Sequence, residues 1–111
     1  MKILFNKLGE EYKKYKREFD NKIKKILSKG NFILGEEVEK FEKEFADYIG
    51  AKYCVGVGNG LDALRLSLMA LNIEPGDEVI TTSLSAVASA LCIKLVGAQP
   101  VFVDIDDYYH I

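Results

Sequence analysis

Cysteine and histidine are scarce in this chain, and tryptophan is absent. Its two cysteines, Cys54 and Cys92, stand far apart and form no Cys-x-x-Cys pair, so the sequence indicates neither a disulfide framework nor a zinc site. We expect both to be buried, reduced thiols. The single histidine, His110, lies at the end of the sequence, so no cluster of histidine ligands and no histidine-activated nucleophile can form. The sequence therefore predicts no catalytic residue and no metal ligand.

Long hydrophobic runs are also missing. No stretch reaches the roughly 18 apolar residues that a membrane-spanning helix needs, although 49% of the chain is hydrophobic. The first residues, from Met1 to Leu8, are interrupted by charge too early for a signal peptide. We therefore expect a cytoplasmic protein without membrane contact, of the size of one small globular domain or of a piece of a larger one.

Charge is nearly balanced overall, at a formal net charge of −2, but it is unevenly distributed. Residues 1–30 carry ten Lys or Arg against four Asp or Glu, whereas residues 53–111 carry two against seven. Apolar residues recur every three or four positions along the basic segment, which predicts a solvated basic face opposite a packed apolar face. No nucleic-acid-binding module is recognisable, so no nucleic acid partner is expected. The apolar positions are Leu8, Tyr12, Tyr15, Phe19, Ile23, Ile26 and Leu27.

Hydrophobic periodicity predicts two helices followed by alternating strands and helices. Such an order is typical of an α/β fold with a mostly parallel sheet. Three strands are few for a sheet that needs cover on both faces, so we expect either a partner that adds structure or a longer protein. The predicted helices are 7–28, 36–49 with an apolar face of Val38, Phe41, Phe45 and Tyr48, 61–71 and 85–96, and the predicted strands are 52–57, 78–82 and 100–105.

The junction between the first predicted strand and its helix contains Gly56, Gly58 and Gly60. Glycines allow backbone N–H groups to approach a ligand closely, and a helix N-terminus adds unpaired donors and the positive end of the helix dipole. A phosphate would fit at this position. The alternative is a Gly-rich turn that binds nothing.

A dinucleotide-binding module of the Rossmann type is a second interpretation of the same junction. Its G-x-G-x-x-G fingerprint needs glycine where Leu61 stands if counted from Gly56, or where Ala63 stands if counted from Gly58. The second predicted strand ends in Thr81 and Thr82 instead of an acidic residue for the ribose. The sequence thus favours this module less.

Four motifs follow one another along the chain: FILGEEVEKFE (32–42), GVGNGLDAL (56–64), PGDEVIT (75–81) and GAQPVFVDI (97–105). Together they resemble the N-terminal part of the StrS/DegT sugar aminotransferases. The resemblance implies a fold-type I pyridoxal phosphate (PLP) enzyme, three-layered with a mostly parallel sheet. It also implies a homodimer that aminates nucleotide-linked keto sugars with glutamate or glutamine as amino donor. The second motif resembles the subgroup acting on dTDP-3-keto-6-deoxyhexoses.

The resemblance also implies where the cofactor would bind. The PLP phosphate would meet the backbone of Gly60 and Leu61, with Asn59 before them. Leu61 stands where many family members carry threonine, so a hydroxyl contact is lost and only the backbone N–H remains. Ala86 occupies the position from which many members stack an aromatic ring on PLP, and its alternative role is that of a plain helix residue.

Family resemblance further implies a helical arm over residues 1–35 and the first, incomplete part of the PLP-binding large domain over residues 36–111. The lysine that forms the Schiff base and the aspartate that pairs with the pyridine nitrogen would both lie beyond residue 111. Lys94, near the end of the last helix, is expected to be solvent exposed and cannot replace that lysine. We therefore expect the chain to be inactive alone, and a non-catalytic protein that completes a partner's sheet stays an alternative.

Overall fold

The computed structural model describes residues 5–111, which contain four helices and two strands. The boundary between two compact units falls between Cys54 and Val55. The first unit contains α1 and α2, and the second contains the remaining elements. In chain order the elements are α1 (Leu8–Lys29), α2 (Glu36–Ile49), α3 (Gly60–Ala70), β1 (Glu78–Thr82), α4 (Ala88–Leu95) and β2 (Gln99–Val103).

Helix α1 begins and ends within one residue of its predicted bounds. It stops at Gly30, whose φ of 69° is the left-handed conformation that glycine adopts at little cost, and the Gly30 N–H donates to the Ile26 carbonyl at 3.1 Å. The expectation that its apolar face is packed was wrong, because α1 has no buried residue and Phe19 and Leu27 are 48% and 62% exposed. Within the first unit, α2 leaves that face exposed.

Helix α2 has the predicted bounds and ends at Gly50, which also has a left-handed backbone (φ 72°). Of its apolar face, Val38 is half-buried, whereas Phe41, Phe45 and Tyr48 are exposed, and the buried residue of the helix is Ala46. Lysines of α1 bind the acidic first turn of α2: Lys22 and Lys25 contact Glu37 at 2.5 and 3.0 Å, and Lys29 contacts Glu36 at 2.8 Å. Ion pairs therefore link the two helices.

Strands β1 and β2 form a parallel pair, in the register Glu78 with Gln99 through Thr82 with Val103, and α4 connects them. The predicted strand over residues 52–57 is not a strand, and the described sheet has two strands instead of three. A strand is defined by its hydrogen bonds to a neighbouring strand. Because β1 and β2 pair with each other, no described strand pairs with residues 52–57.

Helix α4 begins at Ala88, three residues later than predicted. Residues 83–87 instead form a bend, in which the Leu84 N–H donates to the Thr82 side-chain oxygen at 3.3 Å. Serine and threonine side chains compete in this way with helical hydrogen bonds. Strand β2 likewise covers 99–103 instead of 100–105.

The core of the second unit is formed by Cys92, Ile93 and Ala98, all buried. Half-buried side chains from α3, β1 and the turns beside them surround it, so α3 and β1 are fixed against α4. At the start of β2, the Gln99 N–H donates to the Asp77 carbonyl at 2.9 Å, which joins the amino ends of both strands. The surrounding residues are Leu61, Leu68, Ile73, Val79 and Val96.

Candidate functional site

Asn59 caps the N-terminus of α3 from an extended backbone conformation (φ −165°, ψ 171°). Its side-chain oxygen accepts the Asp62 N–H at 2.9 Å, and its backbone carbonyl accepts the Ala63 N–H at 3.2 Å. Its side-chain NH₂ donates to the Asp62 carboxylate at 2.8 Å. This double contact fixes the cap, because both ends of the amide are held by the same residue.

Gly60 and Leu61 supply the two remaining N–H groups of the first turn. Neither N–H has an acceptor among the described residues, since the cap satisfies only those of Asp62 and Ala63. Both lie at the positive end of the dipole of an 11-residue helix. The residues that the sequence singled out are thus the two that offer free donors to an anion.

Gly60 has no structural need to be glycine within the described chain. Its φ is not positive, and a Cβ built on it would meet nothing within 4 Å. Glycine loses more conformational freedom on folding than any other residue, so it has an entropic cost wherever its special backbone freedom is not needed. Close approach of a ligand to the backbone is a physical reason for accepting that cost, so the donor set and the open space both fit a phosphate group.

Leu61 turns its half-buried side chain to the core cluster of Cys92, Ile93 and Ala98. Its side chain therefore packs while its N–H stays available, which is compatible with the backbone contact predicted for it. Ala86 is exposed in the bend after β1. Its role at a cofactor ring stays a prediction.

Asp62 is the residue that sequence reasoning missed. Its carboxylate accepts from Asn59 and lies 3.7 Å from the position of a Cβ built on Gly58. An Asn followed three residues later by an acidic residue is a variant of the capping-box pattern, and this spacing was the available signal. The half-buried carboxylate places negative charge beside the anion site and is held by the Asn59 amide.

The next features concern metal ligands, membrane-spanning helices, the two cysteines and Lys94. Across residues 5–111 no group of three His, Cys, Asp or Glu side chains could hold a metal ion. None of the described helices combines the length and apolar character needed to cross a membrane. Cys92 is buried with its thiol donating to the Ser89 carbonyl at 3.3 Å, whereas Cys54 is only half-buried, and both are free. Lys94 is exposed, as predicted.

A helix N-terminus with free donors, beside a parallel β-α-β unit, is an arrangement at which α/β proteins can bind anionic ligands. The model of the DegT/DnrJ/EryC1/StrS aminotransferase family matches residues 13–111. The chain therefore belongs to this family, and its architecture is that of the N-terminal part of the family's α/β fold, as the resemblance implied.

Two curated relatives illustrate the similarity. A UDP-2-acetamido-2-deoxy-3-oxo-D-glucuronate aminotransferase of Pseudomonas aeruginosa is 46% identical over 94% of this chain and 29% of its own length. A dTDP-3-amino-3,6-dideoxy-alpha-D-galactopyranose transaminase of Aneurinibacillus thermoaerophilus is 47% identical over the same shares. The chain thus spans less than a third of the length of these relatives.

Solved structures give the same result. An aminotransferase of this family from Brucella abortus superposes with a TM-score of 0.92, at 38% identity, over 97% of this chain and 29% of that one. NtdA from Bacillus subtilis, solved with its cofactor PMP bound, superposes with a TM-score of 0.75 at 35% identity, over 78% of this chain and 20% of that one. The described backbone is therefore similar to the N-terminal part of these aminotransferases.

Proposed function

We propose that this chain is the N-terminal segment of a PLP-dependent aminotransferase that acts on a nucleotide-linked keto sugar, with glutamate or glutamine as amino donor. Its own contribution is part of the site for the cofactor phosphate. Family membership and the names of its relatives support the reaction class. In this proposal residues 1–35 are a helical arm and residues 36–111 are the first part of the PLP-binding domain of a homodimer.

The observation that carries the proposal is the pair of N–H groups at Gly60 and Leu61, which have no acceptor in the described chain. Hydrogen bonds from such groups to a charged phosphate are worth about 1.5–3 kcal/mol each. Bound PLP supplies the electron sink for amino transfer. Asn59 then acts as a positioning residue, because its side chain occupies the Asp62 N–H and leaves the first two donors to the phosphate.

Ala86 is the fourth proposed cofactor-binding residue. It follows β1 at the carboxyl end of the sheet, where ligands of open α/β sheets bind. Its methyl group offers an apolar surface to the cofactor ring but no aromatic stacking. Its contribution is therefore smaller than that of the start of α3.

Gly60→Pro tests the proposal because it removes one of the two free N–H groups. Proline is favoured at the first position of a helix, and the N–H that it removes has no acceptor, so the fold should be kept. The extended Asn59 backbone is compatible with a following proline. We expect the affinity for PLP to fall by roughly 10- to 100-fold, measured by equilibrium dialysis, while that for pyridoxal without phosphate is unchanged.

Two alanine variants serve as controls. Gly60→Ala adds a Cβ into open space but keeps the N–H, and Gly9→Ala makes the same change at an exposed position of α1. Gly9→Ala should leave PLP binding unchanged, and Gly60→Ala should weaken it less than Gly60→Pro. Equal PLP affinity of Gly60→Pro and the parent chain, with both folded by circular dichroism, would show that this N–H does not bind the phosphate.

A further inference from the structure

Asn59 is followed by Gly60, so its side-chain amide precedes a residue that has no Cβ. Asparagine is one of the thermolabile residues of proteins. It loses its amide when the backbone nitrogen of the next residue attacks the side-chain carbon, and a side chain on that next residue hinders the attack. The other asparagines of the sequence precede lysine, phenylalanine or isoleucine. Asn59 is therefore the asparagine whose neighbour hinders this reaction least.

The structure leaves the Gly60 nitrogen open to this reaction. A Cβ built on Gly60 would meet nothing within 4 Å, and the Gly60 N–H has no acceptor among residues 5–111. The nitrogen attacks after it has lost its proton, and a hydrogen bond to an acceptor would oppose that loss. The positive end of the α3 dipole favours it, because it stabilises negative charge on the nitrogen.

The Asn59 side chain, in contrast, is held by Asp62. Its oxygen accepts the Asp62 N–H at 2.9 Å, and its NH₂ donates to the Asp62 carboxylate at 2.8 Å. Attack by the Gly60 nitrogen closes a five-membered ring, which would break both hydrogen bonds and turn the Asn59 backbone away from its ψ of 171°. The two contacts with Asp62 therefore oppose the reaction that the Asn-Gly sequence favours.

We propose that Asn59 is a deamidation site whose reactivity the Asp62 carboxylate suppresses. The deprotonated Gly60 nitrogen forms a bond to Cγ of Asn59, the bond from Cγ to the side-chain nitrogen breaks, and ammonia leaves with the proton that Gly60 released. Water then opens the resulting succinimide ring at either carbonyl, which gives aspartate or isoaspartate. The net reaction consumes water and releases ammonia.

Deamidation would change the N-terminus of α3. An oxygen would replace the NH₂ group that donates to Asp62, and the new carboxylate would face the Asp62 carboxylate. Like charges in contact repel each other, so the cap would open. Under the proposed function this added negative charge would also oppose binding of the PLP phosphate. That effect on PLP rests on the proposed function, whereas the deamidation itself does not.

Incubation of the chain without cofactor at mildly alkaline pH tests the proposal, with peptide fragmentation by mass spectrometry to measure deamidation at position 59. We expect roughly 10-fold faster deamidation in Asp62→Ala than in the parent chain, because a hydrogen bond to a charged group is lost. Asp62→Asn retains an oxygen that accepts the Asn59 NH₂, so its rate should lie nearer to that of the parent chain. Gly60→Pro has no N–H to lose and should not be modified at Asn59.

Asp77→Ala is the matched control, because the Asp77 carboxylate accepts the Glu74 N–H at 2.8 Å in another turn of the second unit. It should leave the rate at Asn59 unchanged, with each variant shown to be folded by circular dichroism. The parent chain in urea gives the rate without the cap, and we expect it to exceed the rate of the folded chain. Equal rates in the folded and the urea-unfolded parent chain, or in Asp62→Ala and the parent chain, would overturn the proposal. PLP affinity is measured separately, so either proposal can fail alone.

Discussion

At Gly97 the backbone conformation and the surrounding space both exclude a side chain. Its φ is +86°, and a Cβ built there would lie 2.7 Å from Cγ of Pro75. Strain in the left-handed region costs about 1–2 kcal/mol, and overpacking typically adds about 1–3 kcal/mol. We expect Gly97→Ala to lower the free energy of unfolding by about 2–4 kcal/mol, measured by urea denaturation.

Gly76→Ala separates the two contributions. Gly76 also has a positive φ, of 107°, but a Cβ there would meet nothing within 4 Å. Its substitution should cost only the backbone strain, and Pro75→Ala should reduce the cost of Gly97→Ala to a similar value. If Gly97→Ala and Gly76→Ala are equally destabilising, the contact with Pro75 has no energetic weight.

Residue-scale predictions from sequence succeeded where the reason was local. The predicted helix ends at residues 28 and 49 lie within two residues of Gly30 and Gly50, which both have the left-handed backbone of helix caps. The contact of Gly97 with Pro75 depends on two turns that meet only in the folded unit, so no local pattern could show it. The free donors of Gly60 and Leu61 fit the prediction of an anion site, whose occupancy stays a prediction.

Among the elements, α1 and α2 are linked by charge where little apolar surface is buried. The Lys22 and Lys25 ammonium groups lower the pKa of Glu37 from 4.5 to about 2, mainly through their hydrogen bonds to its carboxylate. The same hydrogen bond raises the pKa of Lys22, and Lys29 lowers that of Glu36. A carboxyl group whose pKa is lowered on folding stabilises the fold above its unfolded pKa.

The link between α1 and α2 should therefore weaken in acid. Stabilisation by Glu37 is complete above about pH 4.5 and is lost as the pH falls through the folded value near 2. We expect the side-chain carboxyl signal of Glu37 to titrate near pH 2 by NMR. High salt should move its midpoint toward 4.5, because all three side chains contact solvent. A midpoint near 4.5 at low salt would mean that the ion pairs do not form.

Helices were predicted better than the sheet for a physical reason. The hydrogen bonds of α1 and α2 lie within each segment, so periodicity and capping glycines were enough to place their ends. Residues 52–57 have the composition of a strand but are not one here, because a strand depends on a neighbour that its own sequence does not specify. Periodicity likewise predicted the apolar faces of α1 and α2 but could not show whether another element covers them.

At the scale of the whole molecule, the positions of the lysines decide whether one of them can form a Schiff base with PLP. Residues 55–111, which form the second unit, contain one lysine, Lys94. It lies in the last turn of α4, and its ammonium group donates to the Gln99 side chain at 3.2 Å. Helix α4 leads to the amino end of β2, opposite the end at which α3 begins. Lys94 therefore lies away from the proposed phosphate site. A Schiff-base lysine also needs a lowered pKa, whereas carboxylates raise the pKa of Lys16 and Lys22.

We therefore expect a polypeptide of residues 1–111 alone to hold PLP through its phosphate and to form no specific Schiff base. Borohydride reduction with PLP should label surface lysines at random, as seen by peptide mass spectrometry, and no keto sugar should be aminated. Lys94→Arg keeps the charge of Lys94 but cannot form a Schiff base, and it should leave PLP binding unchanged. Stoichiometric labelling of one lysine, abolished by its replacement with arginine, would contradict this expectation. In that case the segment would carry a Schiff-base group of its own, and the phosphate site at α3 would be part of a complete cofactor site.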